Sequence, residues 1–213
     1  MQSIKENLCL YAITDRSWLN GMKLTTAVEA ALKGGATFIQ LREKKLDSTS
    51  LLAEALAIKA LCEAYHVPFI INDHVMLAQN INADGVHIGQ NDMPLEEVRA
   101  KLGKDKIIGV SAHTVEEALR AESQGASYLG VGAVFPTSSK SDTSRVSYDT
   151  LKAICNAVAI PVIAIGGITA CNIMELKQSG ICGVAVISAI FAQNNIYEAT
   201  AKLKTLTQKM VSL

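Results

Sequence analysis

Two apolar patterns alternate along the chain. In one, short runs of mostly β-branched residues sit together, as in "FIQL", "FII" and "VIAI"; in the other, apolar residues recur every third or fourth position, as in "TVEEALRAESQG". The first pattern predicts strands covered on both faces and the second amphipathic helices. Four places repeat a junction in which a helix-like segment stops at Gly or Asp beside small residues and a strand follows: "GGATFIQL", "ADGVHIG", "QGASYLGVG" and "SGICGVAVI". At one helix start Thr114 and Glu117 are spaced for a capping box, and Gly125 supplies the stop.

Strands are predicted at 8–14, 37–42, 68–72, 84–88, 106–110, 127–132, 160–165 and 182–187, with helices between them. Eight short strands, each followed by a helix, predict an α/β fold: a single (β/α)8 TIM barrel with parallel strands, forming one catalytic domain over residues 1–213. An open doubly wound sheet is the alternative, and the lack of a GxGxxG after the first strand counts against it.

Composition narrows the function classes. Twenty basic and twenty acidic residues cancel, so no overall field favours nucleic acid or an anionic membrane, and any anion must be bound locally. The most apolar run, "AVAIPVIAIGGI", is broken by Pro161, Gly166 and Gly167, and the start lacks the apolar core of a signal peptide. A soluble, cytoplasmic protein is expected. Five scattered cysteines (Cys9, Cys62, Cys155, Cys171, Cys182) form no CxxC pair and read as reduced thiols, three or four of them in the core.

In such a barrel the chemistry lies at the carboxyl ends of the strands. There the chain places Gln40, Arg42, Glu43 and Lys44 after strand 2, Asn72 and Asp73 after strand 3, and Gln90 and Asp92 after strand 4. Ser111 and His113 follow strand 5, "PTSSK" (136–140) strand 6, "GGIT" (166–169) strand 7, and Ile187 and Ser188 strand 8. Glycines after strand 7 and a helix start at Ser188 suit a phosphate monoester held by backbone N–H groups; the lesser alternative is that the glycines only make a tight turn. Asp73 and Asp92 end successive strands, and two neighbouring carboxylates repel unless a proton or cation lies between them. Either alone could be a helix N-cap. Together, beside Arg42, Lys44 and Lys140, they favour Mg2+ and a diphosphate. Lys140 lies in a loop long enough to be a lid, or is an incidental lysine of a solvated loop. His87, within strand 4, reads as a satisfied core residue, and His113 as either structural or functional.

Taken in order, "FIQLREK", "FIINDH", "ADGVHIGQND", "VGAVFPTSSK", "IPVIAIGGIT" and "GVAVISAIF" resemble thiamine phosphate synthase over about residues 10–192. The resemblance implies a Mg2+-dependent transferase of an alkyl or aryl group. Such an enzyme joins 4-amino-2-methyl-5-pyrimidinylmethyl diphosphate to 4-methyl-5-(2-phosphooxyethyl)thiazole, giving thiamine phosphate and diphosphate. It assigns the pyrimidine diphosphate to Gln40, Leu41, Arg42, Glu43, Lys44, Asn72, Ser111 and Lys140, with Arg42, Lys44, Ser111 and Lys140 in catalytic roles. It assigns magnesium to Asp73 and Asp92, and thiazole phosphate to Thr137, Ser138, Ser139, Gly167, Ile187 and Ser188. Ser139 departs from the threonine common in the family but keeps a hydroxyl. The partners implied are the two small-molecule substrates, with no nucleic acid or membrane; self-association into a homo-oligomer is left open. The rival readings are a thiazole phosphate tautomerase or regulator on the same barrel, another phosphate-binding barrel enzyme such as a sugar phosphate epimerase, and a non-catalytic thiazole phosphate module.

Overall fold

The computed structural model describes residues 3–137 and 145–212. Eight strands, β1 (Leu10–Ile13), β2 (Phe38–Leu41), β3 (Phe69–Asn72), β4 (Gly85–Ile88), β5 (Ile107–Ala112), β6 (Tyr128–Val131), β7 (Val162–Ile165) and β8 (Gly183–Val186), close into a parallel barrel in sequential order. A short helix α1 (Ile4–Asn7) precedes β1. Around the barrel run α2 (Leu24–Lys33), α3 (Ser48–Ala64), α4 (Val75–Asn80), α5 (Leu95–Leu102), α6 (Val115–Ser123), α7 (Tyr148–Ala157), α8 (Ser188–Phe191) and α9 (Ile196–Val211). No described helix is long and apolar enough to cross a membrane.

Period-2 alternation divides each strand between two cores. Leu10, Ala12, Ile39, Leu41, Val86, Ile88, Leu129 and Val131 face outward and pack under the helices. Tyr11, Ile13, Phe38, Ile70, Tyr128, Ile163 and Ala185 face inward and fill the barrel. The helices supply the outer core from one stripe: α3 buries Leu51, Ala55, Ile58 and Cys62, and starts at Asp47, whose carboxylate accepts from the N–H groups of Thr49 and Ser50 at 3.0 Å. Burial of each such large aliphatic side chain stabilises the fold by about 1.5–3 kcal/mol.

Two expectations change. The capping box at α6 is only half made: Thr114 Oγ1 accepts from Glu117 N–H at 3.2 Å, but Glu117 Oε2 reaches one residue further back, to the N–H of His113 at 2.7 Å. His113 Nδ1 lies 3.1 Å from the same oxygen, so the ring draws the carboxylate toward itself. Between β7 and β8 the connection is a single 3-10 turn (Ile173–Leu176) instead of an α-helix. Here Asn172 is bound to the preceding loop: its Oδ1 accepts from Thr169 N–H at 2.8 Å and its Nδ2 donates to Gly167 O at 2.9 Å.

Candidate active site

A cavity partly open to solvent lies at the carboxyl ends of the strands. Strands β2 to β5 contribute Gln40, Asn72, His87 and Ser111, and Arg42 follows β2 directly; Thr137, Gly166, Gly167, Ile187 and Ser188 come from the segments after β6, β7 and β8. Because the strands are sequential around the barrel, these form two polar sectors. Isoleucines 13, 163, 165, 168 and 187 line the wall. Such a lining offers polar groups beside apolar surface, as ligand sites commonly do.

The floor of the first sector is a buried chain of hydrogen bonds. Gln40 Nε2 donates to Tyr11 Oη at 2.7 Å, and Tyr11 Oη is 3.0 Å from Tyr128 Oη. His87 Nδ1 is 2.9 Å from Tyr128 Oη, and His87 Nε2 is 3.0 Å from Ser111 Oγ. Five strands each supply one member. The register explains the meeting: Gly109 of β5 pairs with His87 on one side and Tyr128 on the other, and having no side chain it lets those two reach across it. Burial raises both phenol pKa values well above the ordinary range, so the tyrosines stay protonated.

The second sector suits a phosphate. Gly167 adopts φ +66°, a left-handed conformation that favours glycine, and its N–H makes no hydrogen bond among the described residues; nor does that of Ser188 at the start of α8. A Cβ on Gly167 would stand 2.4 Å from Pro136 O, so the glycine is demanded by the loop after β6 as well as by any ligand. The plain-turn reading therefore has a real contact behind it.

Other sequence-assigned residues lie elsewhere. Leu41 points into the outer core. Glu43 is 8% exposed and pairs with Arg16, while its Oε1 accepts from the N–H groups of Lys44 and Lys45 at 2.9 and 3.0 Å. Burial would raise the Glu43 carboxyl, but these bonds outweigh it and hold its pKa below the usual value. Lys44 is exposed and, with Glu43 and His74, borders a separate groove. Ser138, Ser139 and Lys140 lie outside the described residues.

Asp73 and Asp92 stand beyond the cavity lining, near the ends of β3 and β4. Asp73 N–H donates to His87 O at 3.0 Å, and Asp92 Oδ2 accepts from Gly89 N–H at 2.6 Å, which draws both acids to the end of β4. Neither is an N-cap: those positions at α4 and α5 belong to His74 and Pro94. No cluster of three or more His, Cys, Asp or Glu suited to a metal occurs among the described residues. A pair of carboxylates still fits magnesium, which commonly takes one or two and completes its shell with water and phosphate oxygens.

Tyr11 and Tyr128 went unassigned from sequence, as did the cavity position of His87, whereas His113, expected after strand 5 at the mouth, does line the cavity. The available signal was a tyrosine at an inward position of two strands, since a buried phenol needs a hydrogen-bond partner.

The family described as thiamine monophosphate synthase matches residues 10–190. A thiamine-phosphate synthase of Clostridium tetani is 49% identical over 194 residues, covering 91% of this chain and 93% of its own. One from Clostridium acetobutylicum is 48% identical over 200 residues, covering 94% and 95%. A solved thiamine phosphate pyrophosphorylase from Pyrococcus furiosus superposes with a TM-score of 0.90 at 37% identity, covering 99% of this chain and all of that one. With a family match over nearly its whole length, relatives close to half identical and the same barrel fold in a solved structure, this chain belongs to the thiamine monophosphate synthase family.

Proposed function

We propose that the chain condenses 4-amino-2-methyl-5-pyrimidinylmethyl diphosphate with 4-methyl-5-(2-phosphooxyethyl)thiazole, releasing diphosphate and forming thiamine phosphate. The observation that carries this reading beyond family membership is the two-sector cavity. Gln40, Arg42, Asn72 and Ser111 suit a polar ring bearing a charged leaving group, and Thr137, Gly167 and Ser188 suit a monoester phosphate.

The bond from the pyrimidine methylene to the diphosphate oxygen breaks first, and the electron-rich ring delocalises the positive charge. The thiazole nitrogen then attacks the methylene. No protein nucleophile is required. Gln40 and Ser111 hold the pyrimidine edge, Arg42 stabilises charge growing on diphosphate, and Lys140 adds positive charge there, whereas Lys44, on the neighbouring groove, contributes only a longer-range field. The isoleucine wall excludes water that would otherwise capture the cation. Asp73 and Asp92 would hold Mg2+, which supplies neutralisation of diphosphate charge.

The test is diphosphate release with both substrates and magnesium, each omitted in turn. Release that needs all three, with thiamine phosphate as co-product, is expected. Tight thiazole phosphate binding without release overturns the reading in favour of a tautomerase or regulator. Lys140→Ala should lower kcat by at least tenfold while changing thiazole phosphate Kd little, and equal losses would assign Lys140 to general binding.

A further inference from the structure

We propose that Tyr11, Tyr128 and His87 are positioning residues whose hydrogen bonds set the donor and acceptor sense of Gln40 and Ser111 toward the substrate. The inference rests on the functional reading above only in naming the pyrimidine as the ligand sensed.

Each member of the chain has a limited inventory of protons. The Gln40 amide nitrogen can only donate, so Tyr11 Oη accepts from it. Tyr11 therefore gives its own hydrogen to Tyr128 across 3.0 Å, and Tyr128 gives its hydrogen to His87 Nδ1 across 2.9 Å. His87 must then carry its proton on Nε2 and donate to Ser111 Oγ across 3.0 Å. At the two ends, Gln40 is left with its Oε1, an acceptor, and Ser111 with its O–H, a donor; both residues line the cavity.

The sense is collective. Turning any one bond alone leaves a hydroxyl hydrogen or lone pair without a partner, so the bonds turn only together. A 4-aminopyrimidine matches the result: its amine hydrogens meet Gln40 Oε1, and a ring nitrogen lone pair meets the Ser111 hydroxyl. A ring with the opposite pattern meets lone pair against lone pair at one end and hydrogen against hydrogen at the other, which is how a site rejects a near-isostere. Tyr128 lies beneath the cavity lining while Tyr11 and His87 border it, and in this scheme all three act through the two ends.

Two measurements test this. Histidine-selective nitrogen-15 NMR of the substrate-free protein should show His87 with its proton on Nε2 and Nδ1 bare, and Tyr128→Phe should admit the other tautomer. A His87 carrying its proton on Nδ1 in the unsubstituted protein overturns the inference, whatever the enzyme assay says. Kinetically, Tyr128→Phe and Tyr11→Phe should each raise KM for the pyrimidine diphosphate about tenfold, with KM for thiazole phosphate within twofold of the starting protein. Because Tyr128 acts through Ser111, Ser111→Ala/Tyr128→Phe should be little worse than Ser111→Ala alone. Additive losses, equal shifts in both KM values, or a change confined to thermal stability would assign the tyrosines to packing and overturn the proposal.

Discussion

At position 109 the missing side chain is what the barrel floor is built around. A Cβ there would stand 2.1 Å from the Tyr128 ring and 2.5 Å from His87 Nδ1. Gly109→Ala should therefore destabilise the fold by about 1–3 kcal/mol, read as a lower urea midpoint at unchanged m-value. It should also separate His87 from Tyr128. The thiols offer a second check. Burial pushes Cys62 and Cys182 up to about 12 and Cys155 to about 11, whereas Cys171 is exposed. Cys171 should react first with a thiol reagent at pH 8, and mass mapping that finds Cys62 or Cys182 labelled earlier would contradict the packing. From composition these cysteines already read as reduced core thiols, and three are buried. His87 likewise read correctly as a satisfied buried residue. Its partners, Tyr128 and Ser111, were not legible, because both are distant in sequence and Tyr128 alone looks like any strand tyrosine.

Among the elements, the loop from β2 to α3 shows how positions near the site are held from outside it. Arg16, just after β1, pairs with Glu43 and with Glu54 of α3. Glu43 in turn accepts from two consecutive backbone N–H groups of the loop. Arg16→Ala should cost about 1–2 kcal/mol by leaving a largely buried carboxylate without its cation. The pH sign follows from the lowered carboxyl pKa of Glu43. The unfolded carboxyl titrates near 4.5 and the folded one below it, so the stabilisation is present above that value and lost as pH falls through the folded value. The stability gap between the starting protein and Arg16→Ala, measured by denaturant titration, should be widest above pH 5 and should narrow as pH falls below 4.5. All eight strands fall within their predicted segments or, at β5, run two residues further. The connection after β7 misled because its apolar spacing is compatible with a helix, while the decisive bonds from the Asn172 side chain back to Thr169 and Gly167 depend on a loop conformation that apolar periodicity does not encode.

Closure of the barrel makes a single mouth from loops of distant sequence, and ligands that bridge the two sectors should stabilise the whole fold. At one hundred times its Kd a ligand adds about 2.7 kcal/mol. Diphosphate with magnesium should raise Tm further than diphosphate alone. Asp92→Ala should remove the magnesium increment while leaving the shift caused by a phosphate monoester, and an unchanged increment would take Asp92 out of metal binding. The sequence by itself determined the strands, the alternation with helices and the residues following each strand, because these depend on local periodicity and on turn chemistry. It did not determine which of those residues share the cavity. Gln40 and Arg42 turn inward while Leu41 turns out, Glu43 is taken by Arg16, and Lys44 borders another groove. Tyr11 meets Tyr128 across a sequence separation of 117 residues. Those outcomes follow from register and closure, which fix where one strand's inward side chain stands relative to another's, and no local pattern carries that information.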